Sequence, residues 1–187
     1  AVQRVKKALS ARKAGHLGTL DPAATGLLVV CVNEATKIAP FLAGLEKEYR
    51  GTLKLGVETD TQDAQGEVVA EVNPGHIDPE EIREAFDSFI GPILQRPPMF
   101  SAVKIDGQRM YRLAREGKKV RIPVKPVQVM ELEIESISMP FVTFRAVVSA
   151  GTFIRTLAHD VGRKLGVGAH LAALRRLGSG HFRVDEA

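Results

Sequence analysis

Apolar positions recur in two rhythms along this chain, and most predicted elements follow from which rhythm holds. Val2, Val5 and Leu9 stand at helical spacing, so Gln3 to Ala11 reads as the end of a helix. Thr36 to Leu45 predicts a second, short helix. From Tyr49 the rhythm becomes alternation: Tyr49, Gly51, Leu53, Leu55 and Val57 share one face of a strand. The polar stretch 59–66 predicts a turn, and Glu67 to Val72 a returning strand. Asp78-Pro79-Glu80-Glu81 is a helix start, with a capping acid, proline at the first position and glutamate behind it. Ile82, Ala85, Phe86, Phe89 and Ile90 form its apolar face, and Gly91-Pro92 ends it.

Pro97-Pro98 predicts a loop, Phe100 to Ile105 a short strand, Asp106-Gly107 a turn, and Arg109 to Arg115 a helix closed by Gly117. Val127 to Ile137 and Phe141 to Val148 read as strands. Thr152 to Leu165 reads as a helix with Ile154, Leu157, Ala158, Val161 and Leu165 inside, and Ala169 to Leu177 as a last helix. Strands and helices do not alternate in a βαβ rhythm. The expected class is therefore α+β with a mixed, largely antiparallel sheet.

Composition adds bounds. The 187 residues, 44% hydrophobic and 26% charged, fit one globular domain with a core. No apolar run approaches the ~18 residues of a membrane span. The one cysteine, Cys31, excludes an internal disulfide; it sits in the apolar run 27–32 and reads as a buried small hydrophobe. A reducing, cytoplasmic setting fits. Net charge is +4, but the charge is segregated. Residues 1–13 hold Arg4, Lys6, Lys7, Arg12 and Lys13 and no acid. Residues 104–125 hold Lys104, Arg109, Arg112, Arg115, Lys118, Lys119, Arg121 and Lys125 against Asp106 and Glu116. Such clusters either solvate helices or present a positive face to nucleic acid.

The densest chemistry lies in Gly15 to Asp21, read as a loop. Asp21 has no acidic neighbour and follows a basic stretch, which suits an ionised nucleophile beside a polyanion. An Asp-Pro step is equally a helix start, with Asp21 as cap. His16, between glycines, lacks the partners of a metal ligand and is placed to act as a planar wedge. The acids of 60–71 do not fit a calcium loop: Gln65 stands where glycine is required. Neither a phosphate-binding loop nor a dinucleotide fingerprint is present.

Gly15-His16-Leu17-Gly18-Thr19-Leu20-Asp21-Pro22-Ala23-Ala24-Thr25-Gly26-Leu27-Leu28 resembles the first motif of the TruB-type tRNA pseudouridine synthases. Glu46-Lys47-Glu48-Tyr49-Arg50 resembles the second, Ser149 to Leu157 the third, and Gly168-Ala169-His170-Leu171 with Leu174-Arg175-Arg176 the last block. The resemblance implies a pseudouridine-synthase core: a long mixed sheet with helices around a central cleft. It implies Asp21 as the catalytic aspartate, Tyr49 as an active-site tyrosine and Arg155 as an active-site arginine. Relative to that family the chain is expected to lack a first strand with its Lys-Pro-x-Gly-x-Thr-Ser segment and a small C-terminal RNA-binding domain.

That family needs no cofactor or metal. Its substrate here would be the T-arm of tRNA, bound by a monomer. Arg155, in a helix first turn where a cation opposes the dipole, is expected to pair with Asp21 and lower its pKa; alternatively it points to water. Tyr49 is either core or a ring beneath a flipped uracil, and Leu174 either core or an apolar pocket wall. Lys104, Tyr111, Arg112, Arg115 and Arg176 complete the expected RNA-binding set. Two other functions remain open: a guide-RNA-dependent relative, and a non-catalytic RNA-binding or tRNA-folding module.

Overall fold

The computed structural model describes residues 1–101, 103–105, 107–116 and 122–187. The chain runs α1 (Val2–Ala8), β1 (Ala14–His16), β2 (Thr25–Gly26), β3 (Val30–Val32), α2 (Ala39–Ala43), β4 (Lys47–Leu55), β5 (Val57–Thr59) and β6 (Val68–Glu71). It continues through α3 (Pro79–Asp87), β7 (Gly91–Gln95), β8 (Lys104–Ile105), β9 (Gln108–Arg109), α4 (Met110–Arg115) and β10 (Lys125–Ser138). The last elements are β11 (Phe141–Val148), α5 (Ile154–Lys164), β12 (Ala169–Ser179) and β13 (Phe182–Arg183).

A seven-stranded sheet organises the molecule in the order β13-β12-β4-β11-β10-β7, with β2 added on β12. The six strands of that order pair antiparallel; β2 joins β12 in parallel. The expected α+β class with a mixed, largely antiparallel sheet is what the structure has. Alternation in β4 is strict: Lys47, Tyr49, Gly51, Leu53 and Leu55 are buried, and the residues between them are less so. On β11, Val142, Phe144, Ala146 and Val148 join the same face. Helices α3 and α5 cover it, supplying Ile82, Ala85 and Phe86, and Ile154, Leu157, Ala158 and Val161. Each of the large side chains among these contributes about 1.5–3 kcal/mol on full burial. Gly51 is needed here because the Phe144 ring lies where a Cβ would stand, 2.6 Å away, and that ring meets Phe86 edge-on.

The opposite face of the sheet is polar. Arg145 lies between Glu48 and Glu131, Arg50 pairs with Glu135, and Thr52 meets Thr143 across the β4–β11 ladder.

Several expectations need correction. Ala169 to Leu177 is strand, not helix. Two bulges, between Leu171 and Ala173 and between Arg176 and Gly178, break the period of two and produce the helix-like spacing of its buried positions. Gly15-His16 is not loop but part of β1, paired with β3. Gly91-Pro92 ends α3 but also opens edge strand β7, where a proline is tolerated because its missing N–H faces no partner. The helix expected over 36–45 is split: 33–37 form a 3-10 turn, and α2 follows with Pro40 in its first turn. Helix α1 ends at Ala8, so Leu9 is exposed, and Ile90 is exposed as well. The strand expected over 100–105 is confined to β8. Asp106 and Gly117, assigned to a turn and a helix stop, lie outside the described residues. Cys31 is buried as expected.

Candidate active site

The segment that carries Asp21 leaves β1 at His16 and rejoins the sheet at β2. Its ends are tied down by a single side chain. Arg176, on β12, donates from Nε to the Leu27 carbonyl at 2.7 Å and from Nη2 to the Gly18 carbonyl at 3.3 Å. The Leu27 amide donates back to the Arg176 carbonyl at 2.9 Å. Gly26 has φ +96°, and a Cβ there would lie 2.2 Å from the Arg176 carbonyl oxygen, so only glycine fits. The Ala24 amide closes a turn on the Asp21 carbonyl. No helix begins at Asp21, so its side chain is not a cap but is turned to another partner.

That partner is Arg155. Its Nη2 donates to Asp21 Oδ1 at 3.0 Å, while Nε lies 2.9 Å from Oδ2. The Nη2 contact is a directed hydrogen bond. Nε approaches Oδ2 off the line of its N–H, so that contact is electrostatic. Helix α5 puts Arg155 there because its start is pinned: the buried Gln95 carboxamide donates to the Phe153 carbonyl at 3.0 Å and accepts from the Phe153 amide at 2.7 Å. A buried cation in a helix first turn opposes the macrodipole. Here the cost is offset by a second acid. Arg155 Nη1 lies 3.2 Å from Asp63 Oδ2 and donates to the Thr61 carbonyl at 2.9 Å, and Nη2 also reaches the Phe100 carbonyl.

Asp63 is the site residue that sequence reasoning misses. Its stretch reads as a turn, which it is, but the failed calcium-loop pattern leaves the acid without a role. The turn folds so that Asp63 accepts from Thr61 Oγ1 at 2.7 Å and from the Gln65 amide at 3.0 Å, leaving its second oxygen for Arg155. Reciprocal backbone bonds dock the turn on β12: Leu171 N–H to the Gln62 carbonyl, and Ala64 N–H to the Leu171 carbonyl. The local signal is Thr61-x-Asp63, a side chain poised to accept from its own turn. Its partnership with Arg155, 92 positions on, has no local signal.

The electrostatics reverse one expectation. Arg155 does pull the Asp21 pKa down, but burial outweighs it, and Asp63 adds a like charge. The net shift is upward from 3.8. The Tyr49 phenol is raised too, by burial first; Arg176 pulls against this and Asp21 adds to it. Tyr49 is thus within electrostatic reach of both groups, and it stands directly opposite Arg176 in the β4–β12 ladder.

A cleft opens beside Asp21, lined by Ala23, Ala24, Asp63, Ala64, Arg155 and the β12 residues Leu171 to Leu174. Leu174 is half-buried and lines this cleft. A larger cavity of about 320 Å³ lies beside α5, between Asp60, Gln62, Arg96, Thr156 and His159. It lacks the Asp21–Arg155 pair, which lines the smaller cleft instead. Among the described residues, no group of three or more His, Cys, Asp or Glu is placed to hold a metal.

The remaining expected site residues divide. His16 is exposed at the end of β1. Arg112 is exposed on α4, and Tyr111 beside it is half-buried, its phenol pKa lowered mainly by a hydrogen bond with Arg112. Arg176, expected to grip RNA, is only 1% exposed and donates to the Leu27 and Gly18 carbonyls, so it positions the Asp21 segment instead. The side chains of Lys104 and Arg115 lie outside the described residues, as do Lys118, Lys119 and Arg121.

The chain belongs to the TruB family of pseudouridylate synthases: the model of that family's N-terminal domain matches residues 6–154. A model of the tRNA pseudouridylate synthase B C-terminal domain matches residues 155–187, and the β12 strand in that region hydrogen-bonds directly to β4 of the first. The tRNA pseudouridine synthase B of Geobacter sulfurreducens is 50% identical over 186 residues, covering 100% of this chain and 61% of the relative. That of Aquifex aeolicus is 48% identical over 190 residues, covering 100% and 65%. The chain therefore spans about three-fifths of the length of such curated relatives. Among solved structures, a Cbf5-Nop10-Gar1 complex aligns with a TM-score of 0.75 at 35% identity, over 98% of this chain and 45% of that one. An H/ACA RNP bound to a substrate RNA containing 2'-deoxyuridine aligns at 0.72 and 32%, over 98% and 44%.

Proposed function

We propose that this chain carries the catalytic core, over residues 1–187, of an enzyme that isomerises uridine to pseudouridine in the T-loop of tRNA. The observation that carries the reading is the Arg155 fork on Asp21 at the edge of an apolar-walled cleft. In this isomerisation the N1–C1′ glycosidic bond breaks, the base turns, a C5–C1′ bond forms, C5 loses its proton and N1 gains one. Asp21 supplies the carboxylate, either to C1′, to the base, or to a sugar proton. Each route needs it ionised, and Arg155 stabilises that form against burial. Tyr49 faces the extruded uracil, Leu174 walls it, and His16 fills the stack it leaves. Tyr111 and Arg112, with Lys104 and Arg115, hold the RNA backbone. No cofactor enters the reaction.

Relatives named for tRNA modification are about 50% identical, against 35% for the Cbf5 complex, which favours a stand-alone enzyme over a guided one. The enzyme acts as a cytoplasmic monomer on an isolated T-arm. Tritium release from T-arm RNA carrying 5-³H-uridine tests the catalytic reading and its independence of a guide. Release by the chain alone is expected. Release only after a guide RNA is added would support the guided reading, and RNA binding without release the non-catalytic one.

A further inference from the structure

We infer that Arg4, Lys7, Arg12 and Lys13 form a track for the phosphates flanking the uridine at Asp21, an inference that rests on the RNA reading above. Among the described residues, exposed cations either pair with an acid or, as Lys125, Lys164 and Arg175 do, have no carboxylate partner, and residues 1–13 bring four of the second kind together. Elsewhere on its surface many are neutralised at home: Arg145 by Glu48, Glu131 and Glu133, Arg50 by Glu135, Arg83 by Glu80, and Lys37 by Glu34. The segment 1–13 contains no acid. Among the described residues, Arg4, Lys7, Arg12 and Lys13 pair with no carboxylate, and all four are exposed.

Helix α1 turns Val2, Val5 and the stem of Lys6 towards the protein, leaving Arg4 and Lys7 on one outer face at i, i+3. Lys7 in the last turn favours the helix dipole, but Arg4 beside it repels Lys7, and Arg12 and Lys13 lie beyond the helix altogether. Helix stability alone does not account for the set.

The track is also held in place. Asn33 Oδ1 accepts from the amides of Arg12 at 2.8 Å and Lys13 at 3.3 Å, and the Asn33 amide returns a bond to the Lys13 carbonyl. Lys13 then runs directly into β1, which pairs with β3 and ends at the exposed His16. The backbone that carries two unpaired charges is thus fixed at the root of the segment that holds Asp21. A site whose backbone is already ordered loses less freedom on binding. The four side chains are cations without an aromatic among them, so they suit phosphate rather than base edges.

The test compares two double variants, Arg4→Ala/Lys7→Ala and Arg12→Ala/Lys13→Ala, with a control, Lys37→Ala/Arg50→Ala. Affinity for a T-arm hairpin RNA is titrated over several salt concentrations, in the Asp21→Asn background to prevent turnover. Each track variant should flatten the slope of log affinity against log salt by about 1.4 to 1.8, two contacts at roughly 0.7–0.9 each. In the active chain KM should rise with kcat unchanged, because the lost contacts bind ground and transition states alike. Slopes equal to that of the unsubstituted chain overturn the track, as does an equal flattening in the control. The two readings fail separately. Salt-dependent binding without tritium release removes the catalytic reading and leaves the track. Release with unchanged slopes does the reverse.

Discussion

Asp21 is held by opposing forces, and its behaviour follows from which is larger. Burial raises its pKa above 3.8 despite the Arg155 fork. A carboxyl that is harder to ionise in the folded state favours folding below its unfolded pKa. That contribution disappears as pH rises from 3.8 through the raised folded value. Asp21→Asn keeps the hydrogen-bond acceptor and removes the ionisation. Urea unfolding from pH 3.5 upwards should therefore show the Asp21→Asn variant gaining stability relative to the parent as pH rises, then levelling. A relative gain by the parent over the same range would mean that Arg155 outweighs burial. Turnover should vanish in the same variant while RNA binding persists; retention of more than about a tenth of the rate, a loss under ~1.4 kcal/mol, would remove Asp21 from the chemistry. Arg155 serves two carboxylates and two carbonyls from one plane. An ammonium cannot reproduce that fork, so Arg155→Lys should lower kcat nearly as far as Arg155→Ala. Full activity in the Lys variant would reduce the role to a generic positive charge.

At the scale of elements, the active segment is a loop stretched between two fixed ends. Arg176 clamps Gly18 and Leu27, and β2 locks the far end onto β12. Gly26→Ala should drive a methyl into the Arg176 backbone at a left-handed φ, costing about 1–3 kcal/mol and lowering kcat as the segment lifts from the sheet. Gly15→Ala, with open space around its Cβ, should be tolerated. Thermal unfolding and tritium release on both variants check the contrast; equal losses would mean that close packing at Gly26 does not set the loop. Elements with an unbroken rhythm are legible in the sequence: β4, β11, α3 and α5 stand within a few residues of where the pattern puts them. β12 is not, because its bulges shift the facing of its side chains in mid-strand. β7 is hidden behind a Gly-Pro step that ends a helix and opens a strand at once.

At the scale of the molecule, ion pairs such as Arg50–Glu135 and Arg145–Glu48 cross the polar sheet face, while the basic segment leading into the Asp21 loop holds no acid. Helix α4 buries Met110 and Leu113 and exposes Arg112. Arg112→Ala should weaken T-arm binding and reduce the salt slope by up to about one unit, without changing sequence preference. An unchanged slope would mean that α4 faces away from the RNA. What the sequence determined by itself is what short-range order can encode: the strand and helix periods, the Asp21, Tyr49 and Arg155 candidates carried by their motifs, and the basic runs. What only the tertiary structure decided is what depends on distant segments meeting. Asp63 joins Arg155 because a turn docks on β12. Arg176 points inward because two remote carbonyls need a donor. The Asp21 pKa rises because burial is summed over segments that approach one another only in the fold, and no local pattern carries that sum.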